Sequence, residues 1–344
     1  MTTTRVALVG YGYWGANLAR NLHAARNLDL VAIADPAQEQ RDRAAHAFPG
    51  ATACADLDEV LARDDVEAVV LATPASTHAD LAVRVLESGR HVLVEKPLAT
   101  SVAEGTRIVE AAKETGRTAM VGHTFLYSEP VRRLRALLDS GELGRVQYLY
   151  SQRLSLGKIR LDCDALWNFA PHDVSIVVHL LGEQPVEVAA TGFSFINAGI
   201  DDVCFATLRF PSGIGANVHV SWIDPRKTRL LTIVGDRKMA VYDDVSVDRK
   251  IAIHDAGVAV SPGATLGEYA SMGEFQSRTR VGDIHIPHLA STEPLLAEVE
   301  AFGDACATGE PAVSDAAHGL QVVAVLEALS RSAALRGAPV AVAP

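Results

Sequence analysis

The chain has 344 residues, with 31 basic and 42 acidic side chains, a net charge of −11 at pH 7 and 49% hydrophobic residues. This length predicts two domains, and this hydrophobic content excludes a mainly disordered chain. The negative charge argues against a nucleic-acid-binding protein, which usually presents a basic surface. It also argues against a general attraction to anionic membranes, so we expect neither nucleic acid nor membrane as a partner.

The N-terminal sequence and the cysteines indicate the compartment. Neither a charged segment nor a long apolar run precedes the strand-like segment that begins at Arg5, so no signal peptide is expected. No apolar run approaches the ~20 residues that a membrane-spanning helix needs. The cysteines form no CxxC pair, which predicts reduced thiols and no metal site in a cytoplasmic protein: Cys54, Cys163, Cys204 and Cys306.

The first 125 residues alternate between short apolar strands and helices. The predicted strands lie at 5–9, 29–34, 51–54, 68–72, 91–94 and 118–122. Predicted helices separate several of them, and Ser101 with Glu104 forms a capping box that opens one helix. Strands separated by helices in this way predict a doubly wound parallel sheet.

The pattern changes after about residue 130. Strands predicted at 146–153, 186–195, 203–210, 216–222, 229–234 and 239–243 favour a mostly antiparallel sheet, interrupted by a helix at 170–181. Residues 257–291 are predicted to be irregular, and helices are predicted at 293–308 and 316–334. We therefore expect a dinucleotide-binding domain at 1–125, an α+β domain for substrate and oligomerisation at 126–292, and C-terminal helices at 293–344 that partly return to the first domain.

A glycine loop follows the first predicted strand. Gly10, Gly12 and Gly15 form a GxGxxG pattern that opens a helix, and Asp35 ends the second strand 20 residues after Gly15. This context predicts a dinucleotide site, because the glycines admit a tight turn and the approach of a pyrophosphate to the helix N-terminus. Tyr13 and Trp14 are expected to cover the cofactor.

Asp35 bears on the choice of cofactor. A carboxylate at this place accepts hydrogen bonds from the adenosine ribose and repels a 2′-phosphate, so NAD is favoured over NADP. Pro36 and Ala37 follow where an NADP-binding protein often has Arg or Ser. Arg41 and Arg43 lie further on and keep NADP open.

Two later segments follow neighbouring strands of the predicted sheet. Thr73, Pro74 and His78 come after the strand at 68–72, and Glu95 and Lys96 come after the next strand. Ligands of such sheets bind at the carboxyl ends of the strands. We therefore expect all five residues at the cofactor.

Four motifs follow one another along the chain: Gly10–Gly15, Ala72–His78, Glu95–Leu98 and His172-Asp173. In this order they resemble the Gfo/Idh/MocA family of oxidoreductases, and the resemblance covers nearly the whole chain. It implies an α/β Rossmann domain followed by an α+β domain with a large, mostly antiparallel open sheet. It also implies an NAD(P)-dependent enzyme that acts on a CH–OH group.

Further segments are similar to one branch of this family, the 3-dehydrogenases of UDP-N-acetylglucosamine and of its uronic acid: 10–17, 121–127, 166–173, 221–225 and 282–288. Enzymes of that branch make a 3-keto sugar for a partner aminotransferase. The resemblance therefore implies a hexose, typically nucleotide-linked, that reacts at C3. Oxidation at C6 would need an activated thiolate, and C4 oxidation is typical of a Tyr-x-x-x-Lys pair that the chain lacks at the matching place.

The resemblance also implies roles for single residues. Lys96 and His172 are implied to be catalytic, since His accepts a hydroxyl proton near neutral pH and an ammonium stabilises an alkoxide. The family usually has Asp four residues before this His, whereas this chain has Asn168, which accepts a hydrogen bond but takes no proton. Trp167 is expected at the cofactor. The substrate-binding residues are expected to be His123, Lys158, Arg160, Asn168 and His172.

Two alternatives stay open from the sequence. The substrate of such an enzyme could be a free cyclitol, an aminoglycoside or another pseudosugar, or the chain could sense a dinucleotide without catalysis, for which Asn168 is the hint. We also expect a homodimer or homotetramer, because a sheet of about six strands leaves one apolar face to be covered.

Overall fold

The computed structural model describes residues 3–258 and 279–343, which form two compact units. The first unit comprises residues 3–128 and 291–327. The second comprises residues 129–258, 279–290 and 328–343. The boundaries predicted after residues 125 and 292 concern independently folding domains and stay a prediction.

The first unit contains a parallel sheet of six strands in the order β3-β2-β1-β4-β5-β6. This order is that of a dinucleotide-binding Rossmann fold, and the predicted doubly wound sheet is confirmed. Its central strands are almost completely buried because helices cover both faces. The strands are β1 (Thr4–Val9), β2 (Leu28–Ala34), β3 (Thr52–Cys54), β4 (Ala68–Leu71), β5 (His91–Glu95) and β6 (Ala119–Gly122).

One helix of the first unit begins and ends where the sequence places its caps. Ser101 accepts a hydrogen bond from Glu104 N–H at 3.3 Å, and Gly116 ends the same helix with a positive φ of 63°. One helix, α2, was not predicted, because only Ala44 of its ten residues is buried and no apolar face is visible. The helices are α1 (Tyr13–Ala24), α2 (Gln38–Ala47), α3 (Leu57–Leu61), α4 (His78–Glu87) and α5 (Val102–Thr115).

The second unit contains a sheet of nine strands in the order β14-β13-β12-β11-β7-β10-β9-β8-β15. Among the described strands, β7 and β10 pair in parallel and the other neighbours are antiparallel, as predicted. The strands are β7 (Val146–Leu156), β8 (Glu187–Phe193), β9 (Val203–Arg209), β10 (Gly215–Ser221), β11 (Ile223–Gly235), β12 (Met239–Asp243), β13 (Ile251–Val258), β14 (Thr279–His285) and β15 (Val340–Ala341).

Part of this sheet corrects the prediction that residues 257–291 are irregular. Strand β13 continues to Val258 and β14 pairs with it from Thr279, although residues 259–278 lie outside the described part of the chain. The polar, Gly-containing sequence of β14 has no strand pattern of its own, and its side chains from Arg280 to Ile286 are exposed. An edge strand of this kind is recognised through its pairing partner rather than through burial.

Helices α6 (Glu129–Asp139) and α7 (Ala165–Leu181) belong to the second unit, and α7 packs on β7, β9 and β10. Helix α7 begins five residues before its predicted start, because the carboxylate of Asp164 caps it by accepting from Trp167 N–H at 2.8 Å. Pro171 lies inside the helix.

Two C-terminal helices follow, α8 (Pro294–Thr308) and α9 (Ala316–Ala334). Helix α8 packs against α1 and β1 within the first unit, where Arg20 and Glu293 form an ion pair at 2.6 Å. Residues 316–327 of α9 belong to the first unit and residues 328–334 to the second. No helix in the described part of the chain combines the length and apolarity needed to cross a bilayer.

Candidate functional site

The loop between β1 and α1 has the geometry of a phosphate-binding turn. Gly10 has a φ of +97°, and a Cβ there would lie 2.5 Å from the Ala72 carbonyl oxygen. A Cβ at Gly15 would lie 2.0 Å from the Gly10 carbonyl oxygen, so helix and strand approach each other closely. Beside Gly12 there is open space, and no side chain caps the first turn of α1. Its N–H groups therefore face a space that an anion can enter.

Asp35 fastens this loop to the end of β2. Its Oδ2 accepts from Tyr11 N–H at 2.8 Å, and its Oδ1 accepts from Ala37 N–H at 2.9 Å. Each carboxylate oxygen has a second lone pair, which stays available for a ribose hydroxyl. Arg41 donates to the carbonyl oxygens of Asp35 and Pro36, both at 2.8 Å.

His78 connects the ends of β4 and β5. Its Nδ1 lies 2.8 Å from the Pro97 carbonyl oxygen and its Nε2 lies 3.0 Å from the Thr73 carbonyl oxygen. The side chain is 1% exposed, and its burial lowers the pKa of the imidazole. We therefore expect His78 to serve a cofactor site by holding Thr73 and Pro97 in place rather than by touching the cofactor. Pro74 is exposed beside Thr73.

Glu95 links the phosphate loop to the strand that precedes Lys96. Its Oε1 accepts from the indole N–H of Trp14, and its Oε2 accepts from the backbone N–H of Lys96 at 3.1 Å. Burial raises the pKa of this carboxyl group, whereas the Trp14 hydrogen bond and the charge of Lys96 lower it. Tyr13, by contrast, is 90% exposed, so it is free to cover a bound molecule.

A buried group of polar side chains in the first unit includes His123, the residue after Gly122, which lies beside Glu95. His123 is 1% exposed, and its ring lies 5.4 Å from that of His318 in a perpendicular arrangement. Burial lowers the pKa of His123 well below its ordinary value. Glu298 of α8 is completely buried and accepts from Thr124 Oγ1 at 3.0 Å. Sequence analysis missed Glu298, since a lone glutamate in a helix carries no signal.

Helix α7 of the second unit carries three of the predicted residues. Asn168 and His172 are four residues apart, so their side chains share one face of the helix, and both are half-buried. The indole N–H of Trp167 donates to Ser330 Oγ at 2.9 Å. The next residue after His172 is Asp173, whose Oδ2 accepts from Arg153 Nε at 2.6 Å. The Arg153 and Asp173 side chains are only 8% and 6% exposed, and sequence analysis did not foresee this ion pair.

Lys158 and Arg160 lie on the exposed segment between β7 and α7. Arg160 forms a two-pronged ion pair with Asp162, with N–O distances of 2.9 and 2.6 Å. Their predicted contact with a phosphate or carboxylate of the substrate stays a prediction. It requires that Arg160 exchange an exposed partner for the ligand, which costs little because such pairs are weak.

The cysteines and the acidic groups suggest no other chemistry. Burial raises the pKa of Cys204 and that of Cys306 to about 12, so both thiols are neutral near pH 7. Among residues 3–258 and 279–343, no group of three or more His, Cys, Asp or Glu side chains is arranged to hold a metal ion.

The residues at this sheet edge fit a dinucleotide. The open space at Gly12 and the uncapped turn of α1 suit a pyrophosphate, and Asp35 has acceptor capacity for a ribose. Thr73, Glu95 and Lys96 lie at the carboxyl ends of β4 and β5, where the remainder of the ligand binds in such sheets. The fold and the loop together define a nucleotide-binding protein of the Rossmann class.

Comparison with known families agrees with this class. The family profile described as an oxidoreductase family with an NAD-binding Rossmann fold matches residues 4–123, and that of the Gfo/Idh/MocA C-terminal domain matches residues 131–241. An inositol 2-dehydrogenase from Mycolicibacterium gilvum is 30% identical over 272 residues, which are 76% of this chain and 78% of that protein. The chain belongs to the Gfo/Idh/MocA oxidoreductase family.

Other proteins that are similar to this chain are named for different reactions and substrates. A 2,7-anhydro-N-acetylneuraminate hydratase from Mediterraneibacter gnavus is 32% identical over 224 residues, which are 61% of this chain. The matched part of the chain spans only about 59% of that relative. A solved structure of UDP-N-acetylglucosamine 3-dehydrogenase from Acidithiobacillus ferrooxidans superposes with a TM-score of 0.81 at 25% identity, covering 96% of this chain and 98% of the other.

Proposed function

We propose that this protein is an NAD-dependent dehydrogenase or ketoreductase that acts on a ring secondary alcohol of a hexose. The observation that carries the proposal is the contact between Trp14 and Glu95. It joins the phosphate loop to the strand end that bears Lys96, so cofactor-binding and reactive groups are held by one hydrogen bond. A protein that only senses a dinucleotide would not need the lysine at this place.

In this proposal, different residues of the chain have different roles in alcohol oxidation. NAD, when bound, supplies the hydride acceptor. The ammonium group of Lys96 donates a hydrogen bond to the substrate oxygen and stabilises its developing negative charge. The imidazole of His172 accepts the hydroxyl proton, which a histidine can do near neutral pH. The amide of Asn168 neither takes up nor releases a proton near neutral pH, so we assign it an orienting role.

The preference for NAD over NADP belongs to the same proposal. Asp35 places a carboxylate where a 2′-phosphate would lie. Arg41, the nearest cation in sequence, already donates to the carbonyl oxygens of Asp35 and Pro36. Both features support a site that accepts a ribose with a free 2′-hydroxyl group.

We propose C3 of a nucleotide-linked hexose as the reacting carbon. The near-complete superposition on a UDP-N-acetylglucosamine 3-dehydrogenase supports this choice. Burial keeps the thiols of Cys204 and Cys306 neutral, so neither of these two supplies the thiolate that oxidation at C6 to an acid needs. Such a product, a 3-keto sugar, is a substrate for an aminotransferase.

A free cyclitol is the second candidate substrate. It is favoured by the inositol 2-dehydrogenase relative, which aligns over three quarters of this chain. A cyclitol carries no phosphate, so it would leave Lys158 and Arg160 without a ligand. The two candidates therefore differ in what the segment between β7 and α7 does.

The decisive experiment measures NADH formation with a panel of UDP- and dTDP-sugars beside myo-inositol. Turnover of a nucleotide sugar, but not of inositol, is the expected result. The reacted mixture is then reduced with borodeuteride, which places deuterium on the oxidised carbon. Deuterium at C2 or C4 would contradict the C3 assignment, and turnover of inositol alone would favour the second candidate.

We also propose that the protein is a homodimer or homotetramer. The face of the second unit's sheet that α7 does not cover exposes aromatic side chains, including Tyr148 at 47%, Phe193 at 43% and Phe205 at 45%. Exposed apolar sheet faces of this kind are commonly covered by a second subunit. Light scattering at micromolar concentration tests this, and a monomer would contradict it.

A further inference from the structure

A half-buried carboxyl group, that of Glu95, and a completely buried one, that of Glu298, lie against the same short segment of the first unit, Gly122–Thr124. The carboxylate of Glu95 fills the space beside residue 122, where a side-chain carbon would lie 3.2 Å from it. Glu298 accepts a hydrogen bond from Thr124 Oγ1 at 3.0 Å. Acidic groups from β5 and α8, about 200 residues apart in the sequence, therefore share one interior region.

The two groups differ in the donors that surround them. Glu95 accepts two N–H hydrogen bonds, from the Trp14 indole and from the Lys96 backbone, and the ammonium group of Lys96 favours its ionised form. Glu298 has one hydroxyl donor, and within the described part of the chain its Oε1 has no hydrogen-bond partner. A buried charge with a single neutral donor is poorly stabilised.

The surrounding charges act in the same direction. Burial, and after it the charge of Glu95, raise the pKa of Glu298 well above its ordinary value. Burial raises the pKa of Glu95 as well, but the Trp14 hydrogen bond and the charge of Lys96 act against that shift. The nearby His123, which faces His318, stays neutral because burial holds its pKa well below the ordinary value. No second cation among these groups compensates a negative charge on Glu298.

We propose that Glu298 is a positioning residue that keeps its proton while Glu95 is ionised, so that the pair carries one negative charge beside Lys96. Glu298 acts through Glu95. With only one charge in the region, Glu95 can remain ionised and hold both the Trp14 indole and the start of the Lys96 segment. Two like charges this close would favour protonation of one carboxyl group at the expense of those contacts.

A consequence follows for binding, and it rests on the proposed cofactor site. At a pH above the folded-state pKa of its carboxyl group Glu298 loses its proton, and the second charge weakens the link between the phosphate loop and the Lys96 segment. The affinity for NAD should therefore fall as pH rises. Glu298→Gln cannot ionise, so this variant should retain its affinity over the same range.

The ligand-free protein allows a first test. A folded-state pKa above the unfolded value means that the native protein binds more protons, so its stability falls as pH rises between those two values. The midpoint of thermal unfolding of Glu298→Gln, minus that of wild type, should therefore increase as pH rises from 5 to about 9. Glu300→Gln, the same change on the same helix at a partly exposed site, should follow wild type. A pH-independent difference for Glu298→Gln would overturn the proposal.

Infrared spectroscopy provides a second test that does not depend on stability. Wild type near pH 7 should show the carbonyl stretch of a protonated carboxylic acid, absent in Glu298→Gln and present in Glu300→Gln. Thr124→Val, which removes the hydroxyl donor to Glu298 at nearly constant shape, should shift that band to higher frequency. The absence of such a band in wild type, or a band unaffected by Thr124→Val, would contradict the assignment.

Titration with NAD, followed by tryptophan fluorescence, completes the design. A loss of wild-type affinity between pH 7 and 9, which Glu298→Gln lacks and Glu300→Gln keeps, is expected. Identical pH dependence in all three proteins would overturn the positioning role. Absence of NAD binding at every pH would instead contradict the proposed function, while the infrared result would still decide the protonation of Glu298.

Discussion

The two units hold their predicted functional residues in different ways. In the first unit, the side chains of Asp35, His78 and Glu95 each have two polar partners, mostly backbone groups of neighbouring loops. In the second unit, Asn168 and His172 are half-buried on one helix, and Lys158 lies on an exposed segment. The predicted residues of the first unit thus contact the backbone of neighbouring loops, whereas those of the second unit lie on one helix and on one exposed segment.

The difference teaches where sequence motifs carry information. Backbone-to-side-chain bonds tie a residue type to its position, because another side chain leaves a buried N–H or C=O without a partner. The sequence motifs of the first unit therefore predict the type of cofactor, whereas the sequence of the second unit predicts the substrate much less well.

The largest expected effect tests one residue from each unit. Lys96→Ala and His172→Ala should each lower turnover by ~10²–10⁴-fold, the range for a positioned proton-transfer group. NAD binding, measured by fluorescence, should persist in both variants. Lys113→Ala, at an exposed helical site, serves as the control. Near-normal turnover in either variant would remove that residue from the mechanism.

The next prediction concerns stability within the second unit. Asp173→Ala leaves the buried Arg153 guanidinium without its carboxylate and should cost about 3–5 kcal/mol in urea unfolding. Asp162→Ala breaks the exposed pair with Arg160 and should cost no more than about 1 kcal/mol. Equal losses would mean that burial does not decide the strength of these pairs.

The cofactor preference gives a smaller effect in the first unit. Asp35→Ser combined with Ala37→Arg should raise kcat/KM for NADP relative to NAD by about tenfold, which corresponds to about 1.4 kcal/mol. The change removes a carboxylate and supplies a cation for a 2′-phosphate. Because Asp35 also accepts from Tyr11 N–H, circular dichroism should accompany the kinetics as a control for folding. A wild-type preference for NADP would refute this interpretation of Asp35.

The smallest expected effect is that of Asn168→Asp in the second unit. The variant should keep or modestly raise turnover, because it introduces the residue that the family resemblance implies at this position. Steady-state kinetics at several pH values would measure it, with Asn168→Ala as the comparison. Loss of activity in the Asp variant would show that the amide itself has a function.

The phosphate loop and the parallel sheet could be predicted because local sequence determines them. Gly10 and Gly15 are required by close contacts, and the apolar run of β4 is required by burial on both faces. Strand β14 could not be predicted, because its sequence does not alternate between apolar and polar residues and only its pairing with β13 makes it a strand. Helix α2 was missed because it buries little and so lacks an apolar stripe.

The candidate site divides in the same way. Lys96 and Asp35 were recognised from motifs, but the partners that hold them were not. Glu298 and Arg153 were also not recognised. Their partners, Thr124 and Asp173, are distant in sequence, and no motif surrounds either residue. The predicted roles of Asn168 and His172 stay predictions, as does the contact of His123 with a substrate.

The thiols offer a practical consequence. Alkylating reagents attack the thiolate, and burial raises the pKa of Cys54 as well as those of Cys204 and Cys306. Cys163 is half-buried and lies two residues before α7 begins. A maleimide dye should therefore attach preferentially there without any mutation. The unaltered protein thus provides its own position for a fluorescent reporter, next to the helix that carries Asn168 and His172.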